Sequence, residues 1–91
     1  MERKDVYQAI DEERNYQDTI RGENDNETQD DNEKSVSEFL IYMENKLNEA
    51  KSRIYYLNKT GALDSIRKVT ALGVAAMEAF GVPQRYKDSI I

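Results

Sequence analysis

The chain has 91 residues, a formal net charge of −5, no histidine and no cysteine. The two missing residue types exclude disulfide frameworks, zinc held by thiolate or imidazole, Ser-His-Asp triads and Cys-His pairs. The negative balance argues against general binding to a nucleic-acid backbone.

The spacing predicts a first helix over residues 2–20. Val6, Ile10, Glu13, Gln17 and Ile20 recur at steps of four and three and so share one face. That stripe is apolar at its ends and polar in its middle. Glu13 and Gln17 stand where hydrophobic residues are expected, so they are read either as part of a half-exposed helix or as facing a polar pocket or a partner.

Residues 21–34 contain no large apolar side chain and read as an acidic loop, because burial cannot offset the entropy of ordering them. Asn24, Asn26 and Asp30 offer oxygens to calcium. The EF-hand spacing is not met, since the turn lacks its glycine and no glutamate closes the loop, and a solvated loop is expected instead. Acidity is concentrated in this first third, whereas residues 35–91 hold more basic than acidic side chains.

A second helix is expected over residues 36–58, starting at Ser35 or Ser37. Ser35 with Glu38 forms a capping box. Val36, Leu40, Met43, Leu47, Ala50, Ile54 and Leu57 then repeat at 4-3-4-3-4-3, the pattern of near-parallel helix packing. Phe39, Tyr42, Tyr55 and Tyr56 lie off that seam.

Asn58–Gly61 is short enough to make the next helix an antiparallel neighbour. That third helix is expected over residues 62–80. Ile66, Val69, Gly73, Ala76 and Phe80 form one stripe, widened by Leu63, Thr70, Val74 and Met77 on one side and by Leu72 and Ala79 on the other. Gly81 reads as a left-handed cap, and Pro83 prevents continuation into the tail, residues 81–91. A helix apolar on so many sides needs more cover than one small chain supplies, and a chain of this length buries only roughly 60–65% of its unfolded surface. The expected architecture is therefore all-α, one domain over residues 1–91: an N-terminal helix plus a long antiparallel hairpin, assembling as a helical-bundle homo-oligomer, dimer or higher. No apolar run approaches membrane-spanning length and Met1–Asp5 leads into no signal-peptide core, so a cytoplasmic protein with no membrane partner is expected.

The helices carry a further pattern. It comprises Glu13-Arg14-Asn15-Tyr16-Gln17-Asp18 in the first, Glu38-Phe39-Leu40 opening the second, and Ile66-Arg67-Lys68-Val69 through Met77-Glu78 in the third, before Gly81-x-Pro83-x-Arg85. It resembles small phage-encoded proteins of the MazG-like, all-α nucleotide pyrophosphohydrolase type over residues 6–85. The resemblance implies a helical fold suited to nucleotide ligands and to oligomerisation, in the cytoplasm of a bacterial host. Enzymes of that type hold magnesium with a Glu-x-x-Glu pair on one helix and a Glu-x-x-Asp pair on the next. Here Glu38, Glu44 and Glu49 are spaced six and five apart, and Arg67-Lys68 occupy the second position. No catalytic residue, metal ligand or cofactor is assigned.

Three functions follow as expectations. The first is a non-enzymatic nucleotide-binding protein, by analogy a sponge that sequesters a nucleotide-derived immune messenger as a counter-defence. An anionic, ring-bearing ligand needs fixed cations and an aromatic platform. Arg14, Tyr16, Gln17, Arg67, Lys68, Arg85 and Tyr86 supply candidates. Arg67 and Lys68 read equally well as the polar edge of their helix, Tyr16 as half-buried packing, and Arg85 as a helix cap. The second is a divergent magnesium-dependent pyrophosphohydrolase relying on Glu44 or Glu49. The third is a helical interaction module that inhibits a host protein through the acidic loop.

Overall fold

The structure is a computed structural model and describes residues 1–23 and 35–85, with the backbone alone at 21–23. The expected acidic loop beyond Glu23, the calcium oxygens of Asn24, Asn26 and Asp30, and the tail from Tyr86 onward lie outside the described residues. The described residues form three helices: α1 (Arg3–Glu23), α2 (Val36–Tyr55) and α3 (Lys59–Phe80). Helices α2 and α3 pack as an antiparallel hairpin, and α1 lies against α3 alone. No described helix is long and apolar enough to cross a membrane.

The helix ends follow local chemistry. Glu38 N–H donates to Ser35 Oγ at 3.1 Å, the expected N-cap bond. Helix α2 stops at Tyr55, three residues short of the expected end. Leu57 takes φ of +60°, and Asn58 N–H returns to the Arg53 carbonyl at 2.8 Å, which terminates the helix. Asn58 belongs to the next helix rather than to a turn. Its Oδ1 accepts from Gly61 N–H at 2.8 Å, so α3 begins at Lys59, three residues earlier than expected. Gly81 closes α3 with φ of +91° and donates its N–H to the Met77 carbonyl at 2.7 Å. Its ψ of 170° takes the chain into an extended exit rather than the left-handed cap expected.

The seam expected along α2 is not the one the hairpin uses. Helix α2 turns Phe39, Met43, Lys46, Ala50 and Arg53 toward α3, a stripe that also steps at four and three. Phe39, 1% exposed, meets Phe80 edge-on with ring centroids 6.3 Å apart, and Met43 lies over Gly73. Lys46 and Arg53 are half-buried, and their charged heads reach Glu49 and the start of α3 respectively. Val36, Leu40, Leu47 and Ile54 of the expected seam are left exposed, and so is Leu57. The two stripes share Met43 and Ala50, so period alone does not separate them.

Helix α3 presents three sides. Arg67, Ala71, Ala75 and Glu78 face α1, and Gly73 and Phe80 lie toward α2. Leu63, Ile66, Thr70 and Met77 form a third side that neither helix covers. Small residues dominate the interior. Ala71 and Ala75 are completely buried, and the largest fully buried side chains are Phe39 and Ser65. Much of the aliphatic bulk of the hairpin is therefore on its outside.

Candidate functional site

Sequence candidates converge at the seam between α1 and α3. Helix α1 is amphipathic as expected, but Ile10, 9% exposed, is the one large apolar side chain it buries among the described residues. Glu13 and Arg14 are buried beside it. The polar middle of the stripe thus faces a partner, and that partner is α3.

Arg14 is 5% exposed and surrounded by oxygens. Its Nε donates to Glu78 Oε1 and its Nη2 to Glu78 Oε2, both at 3.0 Å, a two-point contact that fixes the guanidinium plane. Asp18 stands 3.1 Å from Nη2, one helical turn along α1, and Gln17 accepts from Nη1 at 3.3 Å. The hydrogen bond to Glu78 is the main influence raising the Arg14 pKa above its ordinary value, while burial acts in the opposite sense.

A second set of charges crosses the whole protein. Arg67 Nε donates to Glu13 Oε1 of α1 at 3.0 Å, and Arg67 Nη2 also donates to Asp64. Asp64 is paired in addition with Lys68 at 3.3 Å and with Arg53 of α2 at 3.5 Å. Arg53 donates to the Gly61 carbonyl at 2.8 Å. The side chains Glu13, Arg67, Asp64 and Arg53 therefore tie α1 to α3 and α3 to α2. Lys68 above all, with Arg67 and Arg53, holds the Asp64 carboxyl below its ordinary pKa against an opposing effect of burial.

Tyr16 is exposed beside this seam. With Ala9, Glu12, Glu13 and Arg67 it lines an open cleft of about 220 Å³. The structure thus brings Arg14, Tyr16, Gln17 and Arg67 into one region, with Lys68 adjacent through Asp64. Arg85 lies past Gly81, exposed in the stretch that follows α3. Tyr86 is outside the described residues.

Of the carboxylates that face these cations, Glu13 is read from the sequence as facing a partner, and Asp18, Asp64 and Glu78 are missed. Arg14, Arg53, Arg67 and Lys68 meet Glu13, Asp18, Asp64 and Glu78, four cations against four anions. The pairs with Asp18 and Lys68 are readable from i, i+4 spacing. The Glu78 pair is not, since 64 residues separate it from Arg14. A neutralised cluster offers an anion little attraction, because each guanidinium already has its oxygens. Among the described residues no group of three or more carboxylates gathers as a metal site requires.

The second candidate surface is apolar. Met43 belongs to the period of the uncovered α2 stripe, and it lies over Gly73, which borders the third side of α3. The uncovered stripes therefore adjoin on one outer face of the hairpin. Val36, Leu40, Leu47 and Ile54 of α2, and Leu63, Ile66 and Met77 of α3, are each 43–60% exposed there, and Phe80, edge-on to Phe39, keeps 49% of its surface open at the margin of that face. None of these residues is ionisable. Comparison with family models, curated proteins and solved structures returns no match.

Proposed function

We propose that this protein is a non-catalytic helical interaction module that works as a homo-oligomer, at least a dimer. One observation carries the reading: among the described residues the largest side chains buried completely are Phe39 and Ser65, while eight large apolar side chains open onto a face of the hairpin that the described helices leave uncovered. Exposed apolar patches beyond roughly 300–600 Å² mark interaction surfaces on soluble proteins. Light scattering coupled to size exclusion tests the proposal. A dimer or larger species at micromolar concentration is expected, and a monomer overturns it.

A second reading keeps the nucleotide ligand, as a sequestering protein resembling the MazG-like group. What favours it is Tyr16, 58% exposed, beside the 42% exposed side chain of Arg67 in the same cleft. An aromatic face next to a guanidinium suits a base and its phosphate. Against it stand Glu12 and Glu13 in that cleft and a volume below the roughly 300–1,000 Å³ of drug-sized sites. Native mass spectrometry with pools of linear and cyclic nucleotides decides: retention of an intact nucleotide, lost in Arg67→Ala, supports this reading, and no retention removes it. Hydrolysis has less support still. Glu44 and Glu49 point roughly 140° apart around α2 at 100° per residue and cannot share one magnesium ion.

A further inference from the structure

We infer that the occupant of the hairpin's outer face is a second copy of the chain, with α2 antiparallel to α2 about a two-fold axis at Leu47 and α3 antiparallel to α3. The inference rests on the self-association proposed above and specifies its geometry.

The period of the uncovered stripes points to this pairing. With the axis at Leu47, that residue meets its own counterpart, and Leu40 falls opposite Ile54 of the second copy. On α3 the same operation about a point between Ala71 and Leu72 sets Leu63 opposite Phe80, Ile66 opposite Met77 and Thr70 opposite Gly73. Large residues flank a centre of two small ones, which lets the two α3 backbones approach. The two centres also lie at nearly one level. Met43 sits over Gly73, so four residues further along α2 the antiparallel neighbour of Leu47 is near Val69. That is two to three residues from the α3 centre, roughly 3–4 Å at 1.5 Å per residue, an offset that the shallow crossing of a four-helix bundle absorbs.

Charge selects the direction. Glu44 and Lys51 border the α2 stripe on the same flank, seven residues apart. Both are exposed, and neither has an ion-pair partner among the described residues. The antiparallel arrangement places Glu44 beside Lys51 of the second copy, and by symmetry does so twice. Pairs on such flanks choose the partner and its orientation in helical bundles. A parallel, in-register alignment sets Glu44 level with Glu44 and Lys51 level with Lys51. The α1 side of α3 is already occupied and takes no part.

The area is sufficient. Eight apolar side chains, each with about half of its surface open, offer on the order of 700 Å² per copy, close to the roughly 800 Å² per partner of a stable interface. The outer face is uncharged at its centre and charged at its rim, the anatomy of a specific interface.

The chain has no native cysteine, so single cysteines report the geometry directly. Leu47→Cys is expected to form a disulfide-linked dimer on mild oxidation. Leu40→Cys alone is expected not to, but a mixture of Leu40→Cys and Ile54→Cys is. Glu44→Lys and Lys51→Glu each place like charges together twice and are expected to weaken the dimer about tenfold or more, and the double reversal to restore it. Both charge positions are exposed, so circular dichroism should show unchanged helicity. A dimer in which Leu47→Cys does not cross-link, Leu40→Cys cross-links with itself, or the charge reversals have no effect overturns this arrangement and leaves self-association standing. A monomeric parent protein overturns both.

Discussion

Arg14 of α1 and Glu78 of α3 form a two-point ion pair at 3.0 Å, although 64 residues separate them and only one of them is buried. The asymmetry decides what each contributes. The Arg14 side chain is 6% exposed and the Glu78 side chain 54%. A freed Glu78 can be hydrated where it stands, whereas Arg14 stays buried without its two-point partner and keeps the contacts to Asp18 and Gln17 along α1 beside its other neighbours. Removing one partner of a buried pair is destabilising chiefly where the other charge is left buried, a condition that Arg14 meets and the half-exposed Glu78 does not. Glu78→Ala is therefore expected to lower stability by about 1–2 kcal/mol, a value discounted for the exposure of Glu78. Arg14→Met is expected to stay within about 1 kcal/mol of the parent protein. Urea denaturation of both variants checks the order, and hydrogen exchange should show the Glu78→Ala loss concentrated in α1. Equal effects of the two changes would contradict the asymmetry.

Asp64 makes stability depend on pH. Lys68, Arg67 and Arg53 hold its carboxyl below the ordinary value in the folded protein. A carboxyl with a depressed folded pKa binds its proton less readily in the native state than in the unfolded one. Its contribution is complete above the unfolded carboxylate value, about 3.9, and is lost as pH falls through the lower folded value. Asp64→Asn removes that titration. The variant is expected to be less stable than the parent at pH 7, and the gap is expected to narrow as pH falls below about 4. Urea midpoints at pH 7, 4 and 3 check this, and a gap independent of pH would remove Asp64 from the acid response.

Two of the glycines should respond in opposite directions. A Cβ on Gly61 would stand 2.4 Å from Asn58 Nδ2 and 2.8 Å from Asn58 Cγ, in the side chain that caps α3. Gly61→Ala is expected to displace that cap and lower stability by about 1 kcal/mol. A Cβ on Gly73 would meet only Met43 Cε, at an ordinary 3.5 Å. Gly73→Ala removes backbone freedom from the unfolded chain and is expected to raise hairpin stability by roughly 0.5–1 kcal/mol. In the antiparallel dimer the same methyl crowds Thr70 of the second copy, so the variant should fold more stably and associate more weakly. Thermal melts and sedimentation equilibrium on one preparation separate the two effects.

The sequence was most legible where short-range chemistry decides the structure. Ser35 followed by Glu38 marked the start of α2, and Gly81 with Pro83 marked the end of α3. The 4-3 spacing on α2 located a real apolar stripe, but not the one that packs on α3. Periodicity identifies a face and says nothing about what lies on it. Here the stripe of Phe39, Met43, Lys46, Ala50 and Arg53 has the same period, and packing of Phe39 on Phe80 selects it. The candidate site was half legible for a related reason. Arg14, Tyr16, Gln17 and Arg67 were marked by residue type, and the fold brings them together. Asp18 and Asp64 lie one turn from Arg14 and Arg67 on the same helices, but Glu78 and Glu13 come from the facing helix, and pairing across helices leaves no trace in local spacing.

Leu57 gives a test of the hairpin's connection. It sits at φ of +60°, where a Cβ crowds the backbone, and its side chain is 92% exposed. The heptad pattern predicted it as the last core position of the second helix. Instead it occupies the terminating position just past α2, which favours glycine, and it gains no packing in exchange. The neighbouring bonds, Leu57 N–H to the Ile54 carbonyl at 2.9 Å and Asn58 N–H to the Arg53 carbonyl at 2.8 Å, depend on the backbone turn and not on the leucine side chain. Leu57→Gly keeps those bonds and relieves the strain of a left-handed leucine, roughly 1–2 kcal/mol, against the greater unfolded-state freedom of glycine. A net gain of about 0.5–1 kcal/mol is expected. Leu57→Val, branched at Cβ and therefore more crowded in this region, is expected to lose stability. Urea midpoints for the two variants check the sign. A stabilising valine or a destabilising glycine would show that Leu57 does not hold the left-handed conformation in solution.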